Sequence, residues 1–134
     1  MSRGTIGNEQ VAVANFTSIT SATTYTPTEE VIIPKGAVIT DLVVQENTAL
    51  AGGTSYLFFV DSITGTSDTN LTGAVALAAF TGLNSLMGLA STGVEATMTS
   101  AGNTKVAETG LLKMTTVGTT SAGDINVIVK YVVV

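Results

Sequence analysis

Apolar and polar residues alternate with a period of two over several short stretches of this chain, and the last of them is the clearest. Ile125, Val127, Val129, Tyr131 and Val133 fall on one side of an extended strand. Asn126, Ile128, Lys130, Val132 and Val134 fall on the other, which turns apolar toward its end. A strand that finishes Tyr-Val-Val-Val is expected to be buried, in a central position of its own sheet or against a partner chain. Val11, Val13 and Asn15 alternate with Ala12, Ala14 and Phe16 in a first strand that runs to about residue 19. Further strands are expected over 30–33, 38–46, 54–61, 94–99, 105–109 and 111–117. Ile33-Pro34-Lys35-Gly36 reads as a type I turn with proline second and glycine fourth, forming a hairpin or corner. Ala51-Gly52-Gly53 breaks the chain, residues 61–70 form a polar loop, and 119–123 form a Gly/Ser/Thr turn before the final strand at 124–134.

Seven or eight short strands divided by turn signals predict an all-β protein. The expected form is an antiparallel β-sandwich, jelly-roll-like, with residues 1–10 as an N-terminal arm and 11–134 as a single domain. No internal repeat suggests a solenoid or propeller. The stretch 71–90 has 13 apolar residues in 20 and no charge. Interrupting glycines and missing interfacial anchors argue for a core or interface segment with one short helix around 73–80, not for a membrane span.

Composition narrows the function classes. Threonine fills 24 of 134 positions, which suits strands. The chain is 45% apolar but only 11% charged, so its surface carries apolar area of the kind that marks contacts, and a homo-oligomer or a subunit of a larger assembly is expected. Net charge is −5, and Arg3, Lys35, Lys105, Lys113 and Lys130 are scattered, which leaves no footprint for nucleic acid. Cysteine is absent, so disulfides and thiol chemistry are excluded. The first residues hold no apolar run of the secretory kind.

Histidine and tryptophan are absent too, which removes zinc's main protein ligands together with cysteine. Asp61, Asp68 and Asn70 share one loop, but their spacing is not that of a calcium loop and a solvated loop is the better reading. Glu29 and Glu30 are adjacent and point to opposite faces of a strand. Nothing in the spacing of Asp41, Glu46 and Glu95 brings them together as an acid/base group. No nucleophile elbow or phosphate loop occurs. The expectation is a protein that is not an enzyme, with no catalytic residues, no cofactor and no metal. Tyr25, flanked by threonines, is the one aromatic expected at the surface where a sugar ring could stack; Tyr56, Phe58 and Phe59 are expected in the core.

Three segments carry a family resemblance: IPKGAVITDLVV at 33–44, ALAGGT at 49–54 and SAGDINVIVKYV at 121–132. A proline-glycine corner feeding a strand, a Gly-Gly-Thr turn into another, and a closing Ser-Ala-Gly-x-ϕ-x-Val-x-Val-x-Tyr-Val resemble tailed-phage capsid decoration, or cement, proteins. The resemblance implies a jelly-roll module, commonly a homotrimer, on the capsid exterior of a virion, bound to major capsid protein subunits at capsomer junctions. Its partner interface is then expected at Ser2, Arg3, Thr5 and Ile6 of the arm and at Tyr131, Val132, Val133 and Val134. The alternative is a fibre- or tail-associated jelly roll that binds a host surface glycan. No nucleic acid and no membrane enter either reading.

Overall fold

The computed structural model describes residues 9–17, 19–20, 23–65, 68–80, 83–85 and 105–133. Among the described residues ten strands follow one another: β1 (Gln10–Phe16), β2 (Thr24–Tyr25), β3 (Ile32–Ile33), β4 (Ala37–Gly52), β5 (Ser55–Ser62), β6 (Thr69–Asn70), β7 (Val75–Ala76), β8 (Leu83–Ser85), β9 (Gly110–Val117) and β10 (Thr120–Val133). They form two antiparallel sheets packed as a sandwich. Sheet A runs β1-β10-β4-β8. Sheet B is built on β9 and β5: β2 and β3 pair with successive parts of β9, and β6 and β7 with successive parts of β5. Each short pair therefore acts as one interrupted edge strand.

Strand alternation builds the core. Tyr56, Phe58 and Val60 of β5 face Leu112 and Met114 of β9 along sheet B, while Ile125, Val127 and Val129 of β10 line sheet A, all of them buried. Phe16 and Phe58 meet edge to face across the sandwich with centroids 6.3 Å apart. β4 is far longer than the expected 38–46, since its pairing with β10 continues to Gly52, and it breaks its own alternation. Ile39 and Leu42 are both buried although three residues apart, and the pairing with β10 slips between Lys130 and Tyr131. The extra residue is a bulge at Thr40–Asp41, where the Asp41 carboxylate accepts the Leu42 N–H at 2.9 Å. Near the end of the same strand Glu46 accepts the Leu50 N–H at 2.7 Å.

Several turns differ from expectation. At the proline corner the Ala37 N–H reaches the Pro34 carbonyl at 3.2 Å and Gly36 has φ +84°, so the turn begins one residue later, with glycine third, as a type II turn requires. It is a corner, since β3 lies in sheet B and β4 in sheet A. The expected turn at 119–123 is shorter: the chain reverses at Gly118-Thr119, and Ser121-Ala122-Gly123 lie inside β10, absorbed by register shifts against β4. Of the strand expected over 105–109, only Lys105 forms a bridge, to Val38. The helix expected around 73–80 is one 3-10 turn, Leu77–Ala79, and there is no α-helix among the described residues. Val75 and Ala76 instead pair with Tyr56 and Ser55, and so short a segment gains more from that pairing than from a costly helix nucleus. Among the described residues no helix is long and apolar enough to cross a membrane. The strand expected over 94–99 and residues 1–8 of the expected arm lie outside the described residues.

Candidate functional site

β1 buries its small residues and exposes its larger ones. Ala14 and Phe16 are buried and Ala12 is half-buried, whereas Val11 and Val13 are 56% and 57% exposed. Residues directly opposite in antiparallel strands share a face, so the register extends this pattern across sheet A. Val13, Ile128 and Val43 form one row; Val11, Lys130 and Asp41 the next; Val132 and Val38 a third. Ile128, Val43, Val132 and Val38 are half-buried. Across these three rows the outer face of sheet A is thus mainly β-branched apolar surface, where a solvated sandwich face would carry polar side chains; the next row, Asn15, Asn126 and Gln45, is polar.

The face ends in a polar cluster. The Asn15 amide donates to Asp124 Oδ1 at 3.0 Å, to Asn126 Oδ1 at 2.9 Å and to the Ile125 carbonyl at 3.2 Å. Asn47 donates to the same Asp124 oxygen at 3.3 Å. These bonds fix the side chains across three strands, β1, β10 and β4.

The residues expected at the partner interface are dispersed. Tyr131 lies opposite Ile39 and packs against the core; Val132 sits half-buried on the outer face opposite Val38; Val133, opposite Ala37, is 44% exposed. Ser2, Arg3, Thr5, Ile6 and Val134 lie outside the described residues. β10 is flanked by β1 and β4, so much of its apolar end is paired inside its own sheet. The outward positions of Val11, Val13, Val38, Val43 and Ile128 escaped the sequence reading. The Val-Ala-Val-Ala run is apolar on both faces, so alternation alone does not say which face is inside.

Two aromatic expectations are corrected. Tyr25 is buried, its hydroxyl 2.6 Å from Thr120 Oγ1, because the β2–β9 pairing turns it into the sandwich end. It offers no ring for a sugar. Phe59 faces outward, half-buried, opposite Lys113 and Asn70, since Phe58 takes the inner position. The carboxylates have local duties. Asp61 pairs with Lys113, and Asp68 accepts the Ser62 N–H at 2.9 Å. Asp41 and Glu46 cap backbone amides of their own strand, and Glu95 lies outside the described residues. Among the described residues no group of three His, Cys, Asp or Glu is placed to hold a metal ion.

The fold displaces the titration of the Tyr56 phenol. Burial raises its pKa above the usual phenol value, and the Tyr25 and Glu46 charges raise it further. Its hydroxyl donates to the Gly52 carbonyl at 2.7 Å. The folded state holds this proton more tightly than the unfolded chain, so the contribution is complete below the unfolded pKa of about 10 and is lost as pH rises beyond it. Tyr56→Phe is expected to cost about 1 kcal/mol at neutral pH through the lost hydrogen bond. Urea unfolding of both proteins as pH is raised should show the gap closing on the alkaline side; parallel curves would mean that the phenol ionises equally in both states.

Comparison with family models, with curated proteins and with solved structures finds no match for this chain.

Proposed function

We propose that this protein is a jelly-roll virion component that decorates and stabilises a tailed-phage capsid by binding major capsid subunits at capsomer junctions on the exterior. The topology supports the jelly-roll part. Counting β2 with β3 and β6 with β7 as single interrupted strands leaves eight, in the orders 1-8-3-6 and 2-7-4-5. First pairs with last, second with seventh, third with sixth and fourth with fifth, as in one long hairpin wrapped into a sandwich of two Greek keys.

The decoration part rests on the resemblance at 33–44, 49–54 and 121–132, and one observation carries it at the surface: the apolar outer face of sheet A. Val13, Ile128 and Val43 form a row that a capsid subunit would cover. Binding only the expanded shell stabilises that shell by mass action, and many weak sites on one lattice act together. The test is cosedimentation of the protein with the expanded shell of its phage, using Ile128→Lys as the variant. Saturable attachment that falls at least about fivefold in affinity in the variant is expected, since an apolar anchor at the centre of an interface carries more than about 1 kcal/mol. Attachment unchanged by the substitution, or absent beside retention on a host polysaccharide, would overturn the reading.

A further inference from the structure

β1 is a sheet edge with none of the usual guards. Among the described residues it pairs with β10 alone, and it runs through seven consecutive pairs without a register shift, whereas β10 against β4 slips four times. Gln10-Val11-Ala12-Val13-Ala14-Asn15-Phe16 contains no charge and no proline. Natural edges are ordinarily protected by lysine, proline or a bulge. The nearest charge along the chain, Glu9, is drawn back over the sheet, where Thr40 Oγ1 donates to its carboxylate at 2.8 Å, and Lys130 opposite Val11 belongs to β10, not to the edge.

The direction of the free peptide groups follows from one bond. The Asn15 carbonyl accepts the Thr28 N–H at 2.8 Å, and Thr28 does not belong to β10, so Asn15 turns its backbone groups to the outer edge. Backbone groups of alternate residues point to the same side of an antiparallel strand. Val13 and Val11 therefore present their N–H and C=O outward, while Ala12 and Ala14 serve β10. Thr28 closes the edge at Asn15, and among the described residues no strand pairs with it from Glu9 to Val13, a stretch symmetric about Val11.

We infer that this open edge is a self-association surface occupied by β1 of a second copy, antiparallel, with the two-fold axis at Val11. The pairs are Val11 with Val11, Gln10 with Ala12 and Glu9 with Val13. An isologous contact satisfies both copies' edges with one set of bonds. It also joins the two sheet A outer faces into one continuous apolar surface. The arrangement is two-fold, unlike the trimer that the resemblance implies, and it holds whether or not the protein decorates a shell.

The absence of cysteine makes the test direct. Val11→Cys places two thiols at a bonded pair, where Cα atoms lie about 5.5 Å apart, within disulfide reach. Mild oxidation is expected to yield covalent dimer roughly tenfold faster than for Ile63→Cys, a comparably exposed site in a turn, because pairing raises the local thiol concentration. Sedimentation of the unmodified protein should give twice the 13.6 kDa chain mass. Val11→Pro removes only an edge-facing N–H, and should give single chains with an almost unchanged melting temperature. A monomeric or trimeric unmodified protein would overturn the inference. So would a Val11→Pro dimer, or equal cross-linking at the two cysteine positions.

Discussion

Phe58→Ala is expected to lower the unfolding free energy by about 3–5 kcal/mol, the range for emptying a buried phenylalanine site. Phe58 is fully buried at the middle of β5, opposite Met114, with its ring edge-to-face against Phe16 of the other sheet. Its backbone is equally committed: its N–H meets Thr72 Oγ1 at 3.1 Å and its carbonyl accepts the Leu71 N–H at 2.9 Å. With Leu71 and Thr72 holding one edge of β5 here and β9 the other, the strand has little freedom to collapse into the space. Phe59→Ala supplies the control. That ring is on the outer face, and its removal should cost no more than about 1 kcal/mol, the scale of a cross-strand pair. Urea denaturation of the two variants measures the difference, and equal losses would mean that the inner and outer faces of β5 are misassigned.

Gly52→Ala is expected to cost roughly 2–5 kcal/mol, from a left-handed backbone position combined with overpacking. Gly52 has φ +76°, and a Cβ there would stand 2.5 Å from the Thr119 carbonyl oxygen and 2.9 Å from the Ser121 nitrogen. Both neighbours are backbone, so no side chain can swing aside. This is where the corner between β4 and β5 lies along the corner between β9 and β10, tied by Gly53 N–H to Thr119 O at 2.9 Å and Thr54 N–H to Val117 O at 2.8 Å. The same substitution at Gly36, where φ is +84° but nothing lies within 4 Å, isolates the conformational part and should cost only about 1–2 kcal/mol. Thermal melts of the pair separate the two contributions; identical shifts would show that the crowding at Gly52 is relieved by backbone movement.

The last strand was legible because its residues alternate cleanly. Its inward set Ile125, Val127 and Val129 follows from period two, whereas Tyr56-Leu57-Phe58-Phe59-Val60 is apolar at every position and only the register shows that Phe58 takes the inner place and Phe59 the outer. The Gly52-Gly53 break is visible because only glycine sits easily at positive φ. What stayed hidden depends on partners far away in the chain. The bulge at Thr40–Asp41 lets Ile39 and Leu42 both point inward, and a period-two reading cannot anticipate a slip imposed by β10. Two-residue strands such as β2 and β7 carry no pattern of their own and exist because β9 and β5 offer an edge. Tyr25 lies inside because Thr120 is there to bond its hydroxyl. For the candidate surface, the apolar tendency of the chain was plain in its composition, but which valines face outward became readable only from the register.

The order in which the chain is made has a consequence for the β1–β10 pairing. β1 leaves the ribosome more than a hundred residues before the strand that covers one of its edges. At ordinary elongation rates of about 5–20 residues per second, that is an interval on the order of 5–20 s. β4 waits in the same way, since β10 is inserted between the two. Sheet A therefore cannot close during early synthesis, and its valine-rich strands pass through a period when neither edge is satisfied. Such long-range closure belongs to the slow end of folding rates. Chaperone capture during synthesis, and a yield that rises when translation and growth temperature are lowered, are the practical signs to look for in producing this protein.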